Sequence, residues 1–393
     1  MVAVARVSLS EAPSRIKGIR ERLSSTKPSI CSERARLYTQ SYQETNGEAA
    51  VIRSARALDK YLREMTIYIG EDQLIVGNQA SRPRAAPICF PEMSVRWLEE
   101  DLDRFETRQY DPFVVSDEVR RELLGVFPYW EGKTLADAYH KRIAQLPQEI
   151  RAALEVGGAY ETREGKAEDT AYEVGVLRMK TQDGIGHHLM DYSEVLNEGL
   201  EGMKGRILAK MTGLDFTESG AYNKWVFWKA LCIICDALMA YSKRYADLAR
   251  RMASAEQDRW RRQELGRIAE VCEWVPAKPA RAFYEALQTV WFITVISHVA
   301  QNGTGMTVGR VDQFLYPYYR KDVEEGRITQ EEAQELLDCF WAKFDEIMKV
   351  RATAVVRRYA GYLLNVAVTL GGQNENGEDA TNELTYMCLD AEA

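Results

Sequence analysis

The amino-acid sequence predicts an α/β fold that is mostly helical. Apolar side chains in residues 48–65 recur at three- and four-residue spacing, which is typical of a helix that buries one face. Thr329 and Glu332 have the spacing of a capping box, which predicts that a helix over residues 330–350 begins there. Residues 363–370 are rich in β-branched side chains, as expected of a strand covered on both faces inside an α/β barrel or a doubly wound sheet.

The same patterns predict the remaining elements. Further helices are expected over residues 92–105, 117–127, 135–154, 222–251 and 383–391. A short β-rich run covers residues 73–77, and Gly371 and Gly372 end the late strand. The sequence contains no internal repeat, low-complexity tract or linker rich in Pro, Gly or Ser. The composition therefore indicates no boundary between domains.

The composition argues against a protein that binds nucleic acid. Hydrophobic residues make up 46% of the 393 residues, enough for a large core, and the formal net charge is −8. Binding to phosphate groups needs clustered Lys and Arg side chains. The most basic stretches, at Arg250 with Arg251 and at Arg261 with Arg262, are interleaved with acidic residues. We interpret them as solvated helix faces.

The sequence also predicts a cytoplasmic protein without a membrane segment. The two most apolar stretches, residues 225–241 and 286–300, are too short to cross a bilayer or contain Lys229 and Asp236. Residues 1–20 lack the long apolar run of a signal peptide. The seven cysteines are odd in number and scattered, which argues against a disulfide framework and for a reducing compartment.

Two small clusters have the residue types of a metal or redox site. Cys232 and Cys235 have CxxC spacing but lie in an apolar helical run with no second Cys/His pair nearby, so core packing is the preferred interpretation. His187 and His188, with Asp191 behind them, lack a third ligand. No Ser-His-Asp set or Gly-x-Ser-x-Gly elbow is present. We therefore expect no metal site.

A glycine-rich segment, residues 300–310, is the strongest local candidate for a functional site. It contains Gly303, Gly305 and Gly309, follows a hydrophobic helix and leads into residues 311–319, which are dense in aromatic side chains. Glycines allow positive φ angles and close backbone approach, which is typical of a chain that bends around a pocket. An ordinary turn between two helices is equally compatible with this local pattern.

The residues around this segment resemble a conserved block of the glycyl radical enzymes of the pyruvate formate-lyase type. The matching residues are Asn302-Gly303, Gly309-Arg310-x-Asp312-Gln313 and Pro317. Six further blocks resemble the family in the same order, namely Ser32 to Thr39, Gly77-Asn78 with Arg82 to Pro87, Asp111-Pro112-Phe113, Gly186 to Leu196, Asn365 to Gly372, and Asn382 to Thr385. The resemblance covers the chain from about Ser32 onward and is nearest the branch of diol dehydratases and arylacetate decarboxylases.

The resemblance implies part of a ten-stranded α/β barrel, mostly helical in this portion. Residues 1–30 would be an N-terminal extension with the first helix, and residues 31–393 the N-terminal part of a pyruvate formate-lyase-like domain. In such enzymes a stored glycyl radical oxidises a cysteine, and the thiyl radical takes hydrogen from a small-molecule substrate. A separate S-adenosylmethionine radical iron–sulfur activating enzyme installs the glycyl radical, and the full-length protein is expected to be a homodimer.

Both radical-bearing loops of the family lie beyond the region matched here, and neither of their motifs occurs in this sequence. Cys388 is not assigned as the thiyl site because Asp390 stands where the motif has Glu. We therefore expect a truncated chain with no catalytic residue and no bound cofactor. The glycyl radical would reside on the missing C-terminal part, and this chain alone would be an inactive fragment of a radical lyase, dehydratase or decarboxylase. The alternative is a short non-catalytic paralogue that binds or helps to assemble a full-length homologue.

The resemblance also implies a substrate pocket formed by His187, Met179, Asn302, Thr304 and Gly305. Diol dehydratases place a His-Ser pair at Thr304 and Gly305 and an Asn at Met179, whereas His187 is retained. A site is selective for a hydroxyl group only if it offers hydrogen-bonding partners. The sequence therefore favours a larger or more apolar substrate than a polyol, such as an arylacetate for decarboxylation.

Overall fold

A computed structural model describes residues 14–149, 186–301, 303–356, 360–362, 364 and 366–392. Most of these residues are helical. The helices of the first part are α1 (Ser14–Ser25), α2 (Glu33–Glu44), α3 (Ala50–Glu64), α4 (Arg96–Asp101), α5 (Asp117–Trp130) and α6 (Leu135–Ala144). Those after residue 186 are α7 (Tyr192–Thr212), α8 (Ala221–Ala255), α9 (Arg259–Trp274), α10 (Phe283–Gln301), α11 (Val311–Phe314), α12 (Tyr316–Glu324), α13 (Gln330–Ala342), α14 (Thr353–Val356) and α15 (Glu383–Glu392).

Helix α10 lies at the centre of the main hydrophobic core. Its sequence is apolar around the whole helix, and such helices are buried on all sides. Helices α7, α8, α9, α12 and α13 pack around it. The ring of Trp291 lies edge-on to Phe340 and Phe344, with centroid distances of 6.0 and 5.3 Å. This helix ends at Gln301, in the first residues of the glycine-rich segment, and therefore fixes where the rest of that segment begins.

Helix α8 is long and apolar enough to cross a membrane by length and composition, and is the one such helix among the described residues. It packs instead along α3, α7 and α9. Tyr241, Tyr245 and Ala249 in its second half are buried in the main core. Asp236, one of the charges noted in this run, pairs with Lys204 of α7 at 2.6 Å. The helix therefore has the packing of a core helix.

A second hydrophobic cluster surrounds the two short strands. β1 (Ser29–Cys31) and β2 (Ala85–Pro87) are parallel, with Ile30 opposite Ala86. Phe90 stacks on Trp130 with the ring centroids 5.5 Å apart, and both side chains are buried. This cluster connects α2, α4 and α5 to the irregular chain that follows α13.

Several predicted helices are confirmed. Helices α3, α5, α8 and α15 correspond to the patterns in residues 48–65, 117–127, 222–251 and 383–391. The capping box is also confirmed, because the Glu332 N–H donates to Thr329 Oγ1 at 3.1 Å and the Thr329 N–H donates to Glu332 Oε2 at 2.9 Å.

Three predicted helices are shorter than their patterns indicated. Over residues 92–105 only α4 forms, and the N–H groups of Arg104 and Phe105 both turn back to the Asp101 carbonyl. The helix predicted over residues 135–154 is observed as α6, and residues 150–154 lie outside the described residues. The helix predicted over residues 330–350 ends at Ala342.

The early end of α13 has a physical cause in buried polar groups. Lys343 and Glu346 are buried and form an ion pair of 2.6 Å, which turns the chain inward through a 3-10 turn, Phe344–Glu346. Beyond it, Gln79 Nε2 donates to the Met348 carbonyl at 2.9 Å. The Met348 carbonyl is therefore paired with a side chain from outside the segment and does not need a hydrogen bond within a helix.

The β-rich run at residues 73–77 does not form a strand. Its backbone is buried, but side chains take the place of a partner strand. Gln288 of α10 accepts from the Val76 N–H at 2.9 Å and donates to the Val76 carbonyl at 2.7 Å. Trp291 Nε1 donates to the Gly77 carbonyl at 3.0 Å. Buried backbone groups must be paired, and α10 supplies the pairing here.

The late strand predicted over residues 363–370 is not regular among its described residues. Leu363 and Asn365 lie outside those residues. The remainder makes one parallel bridge, between Val368 and Gly309. The predicted boundary between residues 1–30 and 31–393 stays a prediction, and Ile16, Ile19 and Leu23 of α1 are buried in the main core.

The capping box gives a first stability prediction. Thr329→Ala removes the oxygen that accepts the Glu332 N–H and should lower the free energy of unfolding by about 1 kcal/mol. Thr212→Ala is the control, since among the described residues that exposed hydroxyl bonds only the Leu208 carbonyl of its own helix. Urea denaturation measures both variants. Equal midpoints for the two variants would contradict the prediction.

Candidate functional site

Three glycine-containing segments lie side by side at the end of α10. They comprise residues 186–190, 303–309 and 364–373, apart from Asn365, which is not among the described residues. A parallel bridge joins Leu189 to Thr307, and a second joins Gly309 to Val368. Parallel pairing of segments distant in sequence is the arrangement of neighbouring strands in an α/β barrel.

The first two segments meet at His187 and Thr304. The His187 N–H donates to the Thr304 carbonyl at 3.0 Å. A Cβ atom on Gly186 would collide with the same carbonyl oxygen and would lie 2.8 Å from the Thr304 nitrogen. A Cβ atom on Gly305, which has a φ of +73°, would lie 2.9 Å from His187 Nδ1. Glycine at both positions therefore allows the two backbones and the imidazole ring to approach closely.

The third segment continues this alignment. The Gly305 N–H donates to the Leu364 carbonyl at 2.9 Å, and the Thr369 N–H donates to the Gly309 carbonyl at 3.0 Å. The Thr307 hydroxyl donates to the Ala367 carbonyl. The glycine-rich segment thus lies between the other two.

The end of α10, which positions the middle segment, is held by two buried cations. Arg34 donates from Nε to the Val299 carbonyl at 2.8 Å and from Nη2 to the Ala300 carbonyl at 3.2 Å. Lys349 Nζ donates to the His298 carbonyl at 2.8 Å. Cations at the C-terminal end of a helix bind its last carbonyl groups and interact favourably with the negative end of the helix dipole. Sequence reasoning missed these roles, although Arg34 lies in one of the matching blocks.

The structure brings together three of the five predicted pocket residues. His187, Thr304 and Gly305 are in contact, with the Thr304 side chain buried and the His187 side chain exposed. Met179 and Asn302 lie outside the described residues. The shared pocket therefore stays a prediction for all five residues.

The clusters considered for metal binding have local structural roles. Asp191 accepts the Glu194 N–H at 3.3 Å and caps α7. Cys232 and Cys235 are buried in α8, and burial raises the pKa of the Cys235 thiol to about 11. In the parts of the chain that the structure describes, no group of three or more His, Cys, Asp or Glu side chains could hold a metal ion.

Cys388 also has the environment of a packing residue. It is fully buried in α15, and burial together with the nearby Asp312 carboxylate raises the pKa of its thiol to about 12. A thiol in such surroundings stays protonated and unreactive.

Three residues of the matching block share a structural role that the sequence did not indicate. Arg310 ends the glycine-rich segment and Asp312 and Gln313 follow it, and all three bind residues 371–385. The available signal was the presence of three polar residues within four positions of an otherwise apolar and aromatic run.

Comparison with known proteins places these features in a family. Residues 9–393 match the family model described as pyruvate formate lyase-like. The chain is 36% identical over 388 residues to isethionate sulfite-lyase of Oleidesulfovibrio alaskensis, covering 97% of this chain and 45% of that protein. The chain thus spans less than half the length of this relative.

Solved structures agree with the sequence match. A structure reported for 1,2-propanediol dehydration in Roseburia inulinivorans superposes with a TM-score of 0.88 at 36% identity, covering 97% of this chain and 46% of that one. A glycyl radical enzyme from Archaeoglobus fulgidus gives a TM-score of 0.82 at 33% identity, covering 96% and 46%. The predicted fold class, a mostly helical part of an α/β barrel, is confirmed.

Proposed function

Because the chain belongs to the pyruvate formate lyase-like family, whose members similar to it are glycyl radical enzymes, we propose that it is the N-terminal part of a radical lyase, dehydratase or decarboxylase. The observation that carries this proposal is the parallel alignment of residues 186–190, 303–309 and 364–373. In barrels of parallel strands, the loops at the strand ends form the active site. The chain would supply one wall of that site and the helices behind it.

The chemistry of the complete enzyme assigns different tasks to its two parts. A glycyl radical on the C-terminal part would supply, through a thiyl radical, the removal of a hydrogen atom from the substrate. Such chemistry requires a pocket that excludes water. The buried helix α10 and the helices packed around it would close one side of that pocket. Without the radical-bearing loops the chain is inactive.

The substrate pocket of the complete enzyme would include His187, Thr304 and Gly305, together with Met179 and Asn302. The close contact of the His187 ring with Gly305 supports this assignment. An imidazole offers either a donor or an acceptor near neutral pH. Gly305 offers no side-chain hydrogen bond, which favours a substrate with fewer hydroxyl groups than a polyol. The partners of the complete enzyme would be a radical S-adenosylmethionine activating enzyme and a second copy of itself, in the cytoplasm.

Electron paramagnetic resonance tests this function on two proteins. The first is the chain itself, and the second is a chimera that joins residues 1–393 to the remaining C-terminal part of the O. alaskensis isethionate sulfite-lyase. Each is treated anaerobically with S-adenosylmethionine and the activating enzyme of that relative. We expect a glycyl radical doublet from the chimera and none from the chain.

A doublet from the chain alone would overturn its assignment as the inactive part. A chimera that folds cooperatively but neither holds a radical nor turns over substrate would overturn its assignment as the N-terminal part of such an enzyme. Circular dichroism melting of the chimera decides whether it has folded.

A further inference from the structure

We propose that Arg310, Asp312 and Gln313 are positioning residues, which together hold residues 371–385 in place beside the glycine-rich segment. We call these three residues the clamp. Residues 371–385 lead into α15, and in the complete enzyme the chain that follows α15 would start from the position that the clamp sets. This functional meaning rests on the proposed function, whereas the clamp itself is a property of this chain.

Asp312 makes the central contacts of the clamp. Its side chain is fully buried, and Oδ2 accepts the Gly371 N–H at 2.7 Å and the Thr385 hydroxyl at 2.5 Å. Its backbone carbonyl accepts from Asn382 Nδ2 at 3.1 Å. One residue therefore binds both ends of the held segment, 59 and 73 positions further along the chain.

Arg310 and Gln313 bind the same segment on either side of Asp312. Arg310 donates from Nη2 to the Gly371 carbonyl at 2.6 Å and from Nη1 to the Gln373 carbonyl at 3.0 Å. Gln313 Nε2 donates to the Ala380 carbonyl at 2.9 Å. Each of the three side chains of the clamp thus binds at least one backbone group of the segment, and Asp312 binds the Thr385 hydroxyl as well.

The held segment is a closed loop followed by a helix start. Gly371 and Gly372 have φ angles of +62° and +84°, and the Ala380 N–H donates back to the Gly372 carbonyl at 2.9 Å. The Thr385 N–H then donates to Asn382 Oδ1 at 3.2 Å, while the Asn382 N–H donates to Thr385 Oγ1 at 3.1 Å. The hydroxyl that Asp312 binds is therefore part of the start of α15.

The geometry of the Asp312 acceptor matters more than its charge. Within the described residues, Oδ1 of Asp312 has no hydrogen-bond partner, and both side-chain bonds use Oδ2. An asparagine can place its carbonyl oxygen at Oδ2 and its amide group at Oδ1. The substitution would keep both bonds and exchange the cost of a buried charge for that of a buried amide group without an acceptor.

Hydrogen exchange of the 393-residue chain, measured by mass spectrometry, tests the clamp. In Asp312→Ala, exchange in peptides covering residues 371–385 should rise about tenfold, because two buried hydrogen bonds to one acceptor are lost. In Asp312→Asn it should stay within about twofold of the unchanged chain. Arg320→Ala is the control, since Arg320 pairs only with the exposed Glu324 of its own helix among the described residues. It should leave this region unchanged.

The proposal is overturned if Asp312→Ala leaves exchange of residues 371–385 unchanged. It is also overturned if Asp312→Asn exchanges as fast as Asp312→Ala, since charge and not acceptor geometry would then be decisive. Thr385→Val removes one of the two Asp312 bonds, together with the acceptor of the Asn382 N–H, and serves if Asp312→Ala does not fold. Thr385→Val should raise exchange in the first turn of α15 and leave the Gly371 amide protected. Unchanged exchange in the first turn of α15 would equally overturn the clamp.

The complete enzyme separates this inference from the proposed function. In the chimera, Asp312→Ala should lower kcat with little change in KM, and Asp312→Asn should keep kcat near that of the unchanged chimera, because the proposed role of the clamp is to position the chain after α15 and not to bind substrate. A chimera without any radical would count against the proposed function and leave the exchange result standing. Unchanged exchange with an active chimera would count against the clamp alone.

Discussion

Replacing Glu346 by glutamine is expected to destabilise the chain by about 3–5 kcal/mol at neutral pH, because it leaves a buried cation without its counter-ion. Lys343 Nζ donates to Glu346 Oε2 at 2.6 Å, and both side chains are buried. Burial lowers the pKa of Lys343, and the neighbouring Glu346 carboxylate partly opposes that shift. Tyr68 Oη and Gln73 Nε2 also donate to Glu346, one to each carboxylate oxygen. Glutamine removes the opposing charge and keeps an acceptor oxygen for one of these two donors.

The loss should depend on pH with a definite sign. In Glu346→Gln, the carboxylate that opposes the effect of burial is gone. The pKa of Lys343 in the folded state therefore falls further below its unfolded value of about 10.5. Between those two pKa values the unfolded chain binds more protons than the folded chain, so the stability of the variant rises with pH. Urea unfolding at pH 7 and at pH 9 should therefore show a smaller deficit at pH 9. A deficit that is constant or larger at pH 9 would contradict this account.

Two further variants control the interpretation. Glu324→Gln breaks the exposed pair with Arg320, and should change stability very little because solvent screens such pairs. The double change Lys343→Met with Glu346→Leu removes both buried charges, and should recover most of the loss. A double variant as unstable as Glu346→Gln would show that hydrogen bonding to Tyr68 and Gln73, and not the ion pair, holds this region.

Glu346 also shows why part of the fold could not be predicted from the sequence. Local periodicity located α3 and α8, because each buries one face by a regular pattern. The pattern continues past Ala342, yet the helix ends there, since the partners of Glu346 lie more than 270 positions away at Tyr68 and Gln73. Residues 73–77 likewise have the composition of a strand and do not form one. Their backbone pairs instead with the side chain of Gln288, which is distant in sequence.

The candidate site was predictable to a different extent. The glycines of residues 300–310 indicated close backbone approach, but the local pattern left a turn and a pocket equally possible. The family resemblance named His187 and Thr304 together, although they are 117 positions apart, and the structure places them in contact. The roles of Arg34 and Asp312 depend on bonds to distant backbone groups, which no sequence pattern specifies.

The contact between the first two segments leads to the second large expected effect. Gly186→Ala should break the His187–Thr304 hydrogen bond, because the added methyl group would collide with the Thr304 backbone. Backbone cannot move aside as a flexible side chain can, so the segments must separate. The His187 N–H donates to the Thr304 carbonyl, and the Thr307 N–H donates to the His188 carbonyl at 3.0 Å. Exchange of these two amide hydrogens should rise at least about tenfold, since both bonds would open.

Gly205→Ala is the matched control for this change. Gly205 lies in α7, and a Cβ atom there would meet nothing within 4 Å. The alanine should stabilise the chain by about 0.5–1 kcal/mol, because it reduces the freedom of the unfolded backbone within a helix. If Gly186→Ala leaves the His187 and Thr307 amides as protected as Gly205→Ala does, the two segments do not depend on that contact. The position of His187 near Gly305 would then not depend on the contact between the two segments. That contact would no longer support the proposed pocket.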